Sequence, residues 1–273
     1  MQNFSSSPAE LFASLWRNRR LIRTLVKREV VGRYRGSVMG IAWSFFNPLL
    51  MLIIYTFVFS VVFKARWGTS VSESKTDFAI VLFVGMIVHG LFAECVNRAP
   101  GLILSNVNYV KKVVFPLEIL PWVAFGSALF HTTVSIVVLL VAQLTLSHQI
   151  PWTVILFPFI LIPLIFATMG FAWFLAALGV YVRDIGQITG MFTTVLLFIS
   201  PVFYSISALP IQYQGWLQLN PLTFIIEEGR NTLIFDKAPD IGQWTIILFA
   251  SLLIAWVGFA WFQKSRKGFA DVL

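Results

Sequence analysis

The chain has 273 residues, 58% of them hydrophobic and only 12% charged, with a mean hydropathy of +0.82; this balance excludes an ordinary water-soluble domain and points to a polytopic membrane protein. A net charge of +8 does not point to nucleic acid, because the basic residues gather at the ends of apolar runs instead of interleaving with solvent-facing aromatics. A single cysteine, Cys95, excludes an intrachain disulfide and offers no metal-ligand cluster.

In chain order, Ser7-Pro8-Ala9-Glu10 has an N-cap serine, a proline at the first helical position and a glutamate three residues after the cap, so a helix should begin here. Leu11, Leu15, Ile22, Leu25 and Val26 then recur at near-helical spacing, with Glu10, Arg17, Arg19, Arg20, Arg23, Lys27 and Arg28 among them. The pattern predicts one amphipathic helix, lying in the membrane interface with its cations snorkelling to phosphates or packed on a partner protein. The first apolar run starts only after this long basic segment, so no cleavable signal peptide is expected.

From Val38 to Phe63 there is no Asp, Glu, Lys, Arg or His, and at about 1.5 Å per helical residue the run is ample for a hydrocarbon core of about 30 Å. Arg33 and Arg35 precede it and Lys64 and Arg66 close it. Further spans are expected at 78–95, 119–146, 152–182, 187–203 and 244–262, with Pro158 and Pro163 bending the fourth. Between Tyr204 and Gln243 the apolar runs are too short to cross and read as re-entrant or interfacial pieces. The expected fold is therefore an all-α polytopic membrane protein: segment 1–37, a six-span domain over 38–262 and a tail over 263–273. Fifteen of the 20 lysines and arginines fall in the segments this topology makes cytoplasmic, which puts both termini inside.

The spans hold few ionisable side chains in their interiors. His89 and His131 are the exceptions and Glu94 lies at a span end, which argues against an ion-coupled transporter. No Gly-x-x-x-x-Gly-Lys-Ser/Thr phosphate loop occurs, so energy for active transport would come from another polypeptide. Glu227 and Glu228 are adjacent, about 100° apart around a helix, and do not face one substrate without extra geometry. The pairs Gly36 with Gly40 and Gly186 with Gly190 have a spacing that supports tight helix packing. Phe45, Leu52, Thr56, Phe59 and Phe63 share one face of the first span, with Tyr55 at its edge.

Several segments resemble the permease subunits of bacterial type-2 ABC transporters that export polysaccharide (O-antigen, capsule and teichoic-acid carriers). They are Lys27-Arg28-Glu29 with Arg33 through Trp43 and Asn47-Pro48; Asn106 through Pro116 with Ile119-Leu120-Pro121; Tyr181 through Ile185; and Asn220-Pro221 followed by Arg230. The resemblance implies a homodimer in the bacterial inner membrane, working with two ATP-binding subunits that hold ATP and Mg, so that this chain carries no cofactor. It implies a lipid-linked polysaccharide as cargo, an N-terminal interface helix in contact with membrane lipids, and a coupling segment over Asn106, Val107, Asn108, Tyr109, Val110, Lys111 and Lys112. It makes the aromatic face of the first span (Phe45, Leu52, Tyr55, Thr56, Phe59, Phe63) a candidate pore lining and places Tyr204, Tyr213 and Trp216 near the outer mouth. The alternatives are a drug or small-lipid exporter of the same family, and a membrane polysaccharide polymerase or ligase using Glu227, Glu228 and Arg230.

Overall fold

The computed structural model describes residues 5–62, 75–111, 115–218 and 220–273. Among the described residues every regular element is helical: α1 (Pro8–Arg17), α2 (Arg19–Arg33), α3 (Trp43–Tyr55), α4 (Lys75–Arg98), α5 (Val107–Lys111), α6 (Leu120–Ser147), α7 (Phe157–Tyr181), α8 (Ile185–Ile199), α9 (Ile211–Gln218), α10 (Pro221–Leu233), α11 (Ile241–Ser265) and α12 (Phe269–Val272). Among the described residues, five helical stretches are long and apolar enough to cross a membrane: Gly40–Phe59, Phe78–Gly101, Leu117–Leu146, Trp152–Tyr181 and Ile241–Val272. A sixth apolar helix, Ile185–Ile199, is shorter.

The helix of α1 begins where its capping residues place it: Ser7 Oγ accepts from the Glu10 amide at 3.2 Å and Pro8 occupies the first turn. The expected single amphipathic helix, however, is two. It breaks at Asn18, whose backbone leaves the helical region (φ −98°, ψ 9°) while its side-chain amide donates to Ser14 O at 2.9 Å. Side chains that bond their own backbone compete with the helical ladder in this way. The apolar face of α2 is also not left for lipid, because Ile22 and Leu25 are buried against Ile119 and Val123 at the start of α6.

Helix α4 is the hub. It packs against α3, α6, α7, α8 and α10, and most of its span is buried. The most extensive pairing is α7 with α11. It rests on two glycines: a Cβ at Gly258 would stand 2.1 Å from Gly170 O, and one at Gly170 would stand 2.5 Å from Ile254 O, so only glycine lets these backbones approach so closely. The glycine pairs singled out by spacing do not pack among the described residues. Added side chains at Gly36, Gly40, Gly186 and Gly190 would meet nothing within 4 Å, and Gly36 and Gly40 instead take positive φ (83° and 52°) to turn the chain into the first span.

Of the two prolines expected to bend the fourth span, Pro158 lies in the first turn of α7 and removes no intrahelical bond. Pro163 lies inside the helix and frees the carbonyl of Phe159. Trp244 of α11 fills that gap, its indole N–H donating to Phe159 O at 3.2 Å while its ring stacks on Phe159 at 4.0 Å between centroids.

Candidate functional site

Among the described residues, three of the polar assemblies inside the apolar body each join several helices. The first lies where α1, the segment leading into α6, α7 and the residues after α11 meet. Glu118, buried in an apolar surround, accepts from Ser14 Oγ at 3.0 Å and from Arg266 at 2.6 Å. The second arm of the same guanidinium donates to Phe115 O at 2.7 Å, and the indole of buried Trp173 donates to Glu118 O at 3.0 Å. A carboxylate taken out of water needs such complete pairing to be tolerated. This knot ties α1, the segment leading into α6, and the residues after α11 into one unit.

The expected coupling segment runs alongside it. Asn106 caps its own turn through its amide on Leu102 O at 2.9 Å, and Tyr109 stacks on Phe115 at 4.3 Å while its hydroxyl accepts from Arg28 at 3.2 Å. Val107 and Val110 are half-buried, whereas Asn108 and Lys111 are exposed; α12 packs against α5. Lys112 lies outside the described residues. Of the cations of α1 and α2, Arg17 pairs with Glu10 at 2.5 Å, and Arg20, Arg23 and Lys27 are exposed. Arg28 is thus brought to the coupling segment, while Arg20, Arg23 and Lys27 face outward.

The second assembly joins α2, α4 and α6. Arg98 pairs with Glu29, and Arg33 pairs with Glu94 at 2.5 Å. Arg33 also reaches His131 Nδ1 at 3.1 Å, and Tyr34 Oη lies 3.0 Å from His131 Nε2. Nδ1 also lies 3.5 Å from Glu94 Oε1, so the imidazole sits between the guanidinium, the carboxylate and the phenol. Burial pushes the Tyr34 hydroxyl above the ordinary tyrosine range, so it keeps its own proton at neutral pH. The basic end of the first span, Glu94 and His131 were each visible in the sequence; their convergence across three helices was not.

Above this cluster a cavity of about 410 Å³ opens between α3, α4 and α6. The face of α3 that lines it is Trp43, Ser44, Asn47, Pro48, Met51 and Tyr55. The face expected to line a pore is therefore divided. Tyr55 turns into this cavity, whereas Phe45, Leu52 and Thr56 border a separate, apolar groove of about 880 Å³ between α3 and α6. Phe59 stacks on Phe203 at 5.9 Å, and Phe63 lies outside the described residues. Beyond Tyr55 the helix loosens into a π-helical stretch, Thr56–Val62.

The third assembly is at the opposite end of the bundle. Arg230 of α10, 1% exposed, donates to Val81 O at 3.1 Å, to Val202 O at 2.9 Å and to Glu227 at 2.7 Å. Glu228 turns instead to Asn231, at 3.3 Å. The two carboxylates thus serve different partners, and the arginine pins α10 to α4 and to the turn after α8. Tyr204 donates to Ile199 O at 2.8 Å, and Tyr213 and Trp216 of α9 are exposed nearby in sequence.

Known proteins match this chain over almost its full length. The chain is 27% identical over 263 residues to the O-antigen export system permease protein RfbA of Myxococcus xanthus, covering 96% of this chain and 98% of that protein. It is 23% identical to the protein of the same name in Klebsiella pneumoniae, covering 93% and 95%. To the polysialic acid transport protein KpsM of Escherichia coli it is 21% identical, covering 90% and 93%. Residues 20–234 match the ABC-2 type transporter family, and the chain is a multi-pass membrane protein that belongs to it.

Proposed function

We propose that this chain is the membrane-spanning permease of an ATP-driven exporter that moves lipid-linked polysaccharide, of the O-antigen or capsule type, across the bacterial inner membrane. The observation that carries the reading is similarity over nine-tenths or more of its length to proteins named for export or transport of such polymers. In this reading α8, although 15 residues long and hence about 22 Å, crosses with its flanking residues as a fifth of six spans. Both termini are cytoplasmic, α1 and α2 lie at the inner interface, and 263–273 is a cytoplasmic tail.

The working unit is a homodimer with two ATP-binding subunits, which hold the nucleotide and Mg; this chain holds neither. Asn106 through Lys112 forms the coupling segment. Exposed Asn108 and Lys111 reach the ATPase, while Arg28 on Tyr109 and the Glu118 knot carry its motion to α2, α6 and α11. The pairing of Glu227 with Arg230 supports a structural rather than an acid–base role for that pair. The test is reconstitution in vesicles with and without the ATPase. Polymer should be exported only with both and only with ATP; equal export without the ATPase refutes the reading.

A further inference from the structure

The cavity between α3, α4 and α6 holds polar groups that the fold itself does not use. Asn47, Tyr55 and Thr132 all line it, and among the described residues the Asn47 amide, the Tyr55 hydroxyl and the Thr132 hydroxyl make no hydrogen bond. Tyr34 lines it too, its hydroxyl 3.0 Å from His131 Nε2. Polar groups at the level of an apolar span are costly unless they are satisfied. The indole of Trp43 forms part of the same wall.

The charges at the cavity floor decide what kind of partner fits. Arg33 on the lining already holds the carboxylate of Glu94, which lines the cavity too. An anion would have to break that pair or sit beside the carboxylate. A ligand with several neutral hydroxyls and an apolar C–H face would satisfy the amide and the hydroxyls of Tyr55 and Thr132, and could stack on the aromatic wall. We propose that this cavity is a binding subsite for one neutral sugar ring. It deepens the polysaccharide reading and rests on it for the biological source of the ring, which is either a unit of the polymer or the headgroup of a glycolipid.

The test uses the full chain in nanodiscs of zwitterionic lipid, with saturation-transfer NMR as the readout. The probes are maltotriose, octyl glucoside below its micellar concentration, and octyl phosphate. Saturable binding of maltotriose and octyl glucoside supports the site and assigns it to a polymer unit; binding of the glucoside alone supports it and assigns it to a glycolipid. Asn47→Ala and Tyr55→Phe should each weaken binding at least tenfold at an unchanged melting temperature. As a second route, Gly90→Leu places a side chain on the cavity wall, where an added Cβ meets nothing within 4 Å, and should abolish binding without unfolding the protein. No saturable sugar binding, equal binding by all variants, or tighter binding of octyl phosphate overturns the proposal. These outcomes are independent of the export reading, which stands or falls on whether vesicles export polymer only with the ATPase and ATP.

Discussion

The first span and the α7–α11 pair are both apolar, yet they are held in opposite ways. In the first span only a small part of the surface is buried, and its residues border two cavities, one polar and one apolar. In the α7–α11 pair the backbones touch through Gly170 and Gly258, and Trp173 and Phe259 fill the space beside them. Hydropathy cannot separate the two, because it counts apolar residues and not the surfaces they meet. The difference assigns the pair to scaffold and the first span to a wall that faces something other than this chain.

If that contrast is right, substitutions in the scaffold should cost far more than those in the wall. Gly258→Leu should have the largest effect: with the Cβ 2.1 Å from Gly170 O the helices must separate, at more than the 1–3 kcal/mol typical of about one or two extra methylenes in a core. No monodisperse peak should remain in size-exclusion of the detergent-extracted protein. Arg230→Met should come next, leaving Val81 O, Val202 O and Glu227 without their donor at a cost of about 2–4 kcal/mol, read as a fall in melting temperature. Glu118→Gln should cost about 1–3 kcal/mol by weakening the hold on Arg266 and Ser14, and should lower transport more than ATP hydrolysis.

At the small end, Lys111→Glu changes an exposed side chain and should leave stability within about 0.5 kcal/mol while abolishing ATPase stimulation by the permease. Phe45→Ala, half-exposed on the wall, should likewise melt normally. A Phe45→Ala protein that fails to fold, or a Gly258→Leu protein that behaves like the parent, would collapse the distinction between scaffold and wall.

The sequence made the class, the long apolar helices and the start of α1 legible, because hydropathy, charge placement and capping are local properties. Arg33, Glu94 and His131 were each visible in it, but not their meeting across three helices. It did not reveal the Glu118 knot, since Ser14, Glu118 and Arg266 are separated by 104 and 148 positions and none is unusual alone. Spacing misdirected the glycine reading: four-residue intervals recur by chance, whereas Gly170 and Gly258 meet across two helices. A single amphipathic face was assigned to α1 and α2 because periodicity says that a face is apolar and not what covers it; α6 covers that of α2. The candidates on the first span were divided for a related reason, since Tyr55 at the edge of the stripe borders one cavity while Phe45, Leu52 and Thr56 border the other.

The contacts of α1 also set an order of events during biosynthesis. Ser14 needs Glu118, Glu118 needs Arg266, and the carbonyl of Ser6 accepts from the indole of Trp256 at 3.1 Å, 250 positions away. Helix α1, made before its partners, therefore has no final seat until α11 has been made and inserted. Until then its apolar side chains remain available to the insertion machinery or to lipid, and the docking of α1 marks the moment at which a complete bundle can be told from an unfinished one.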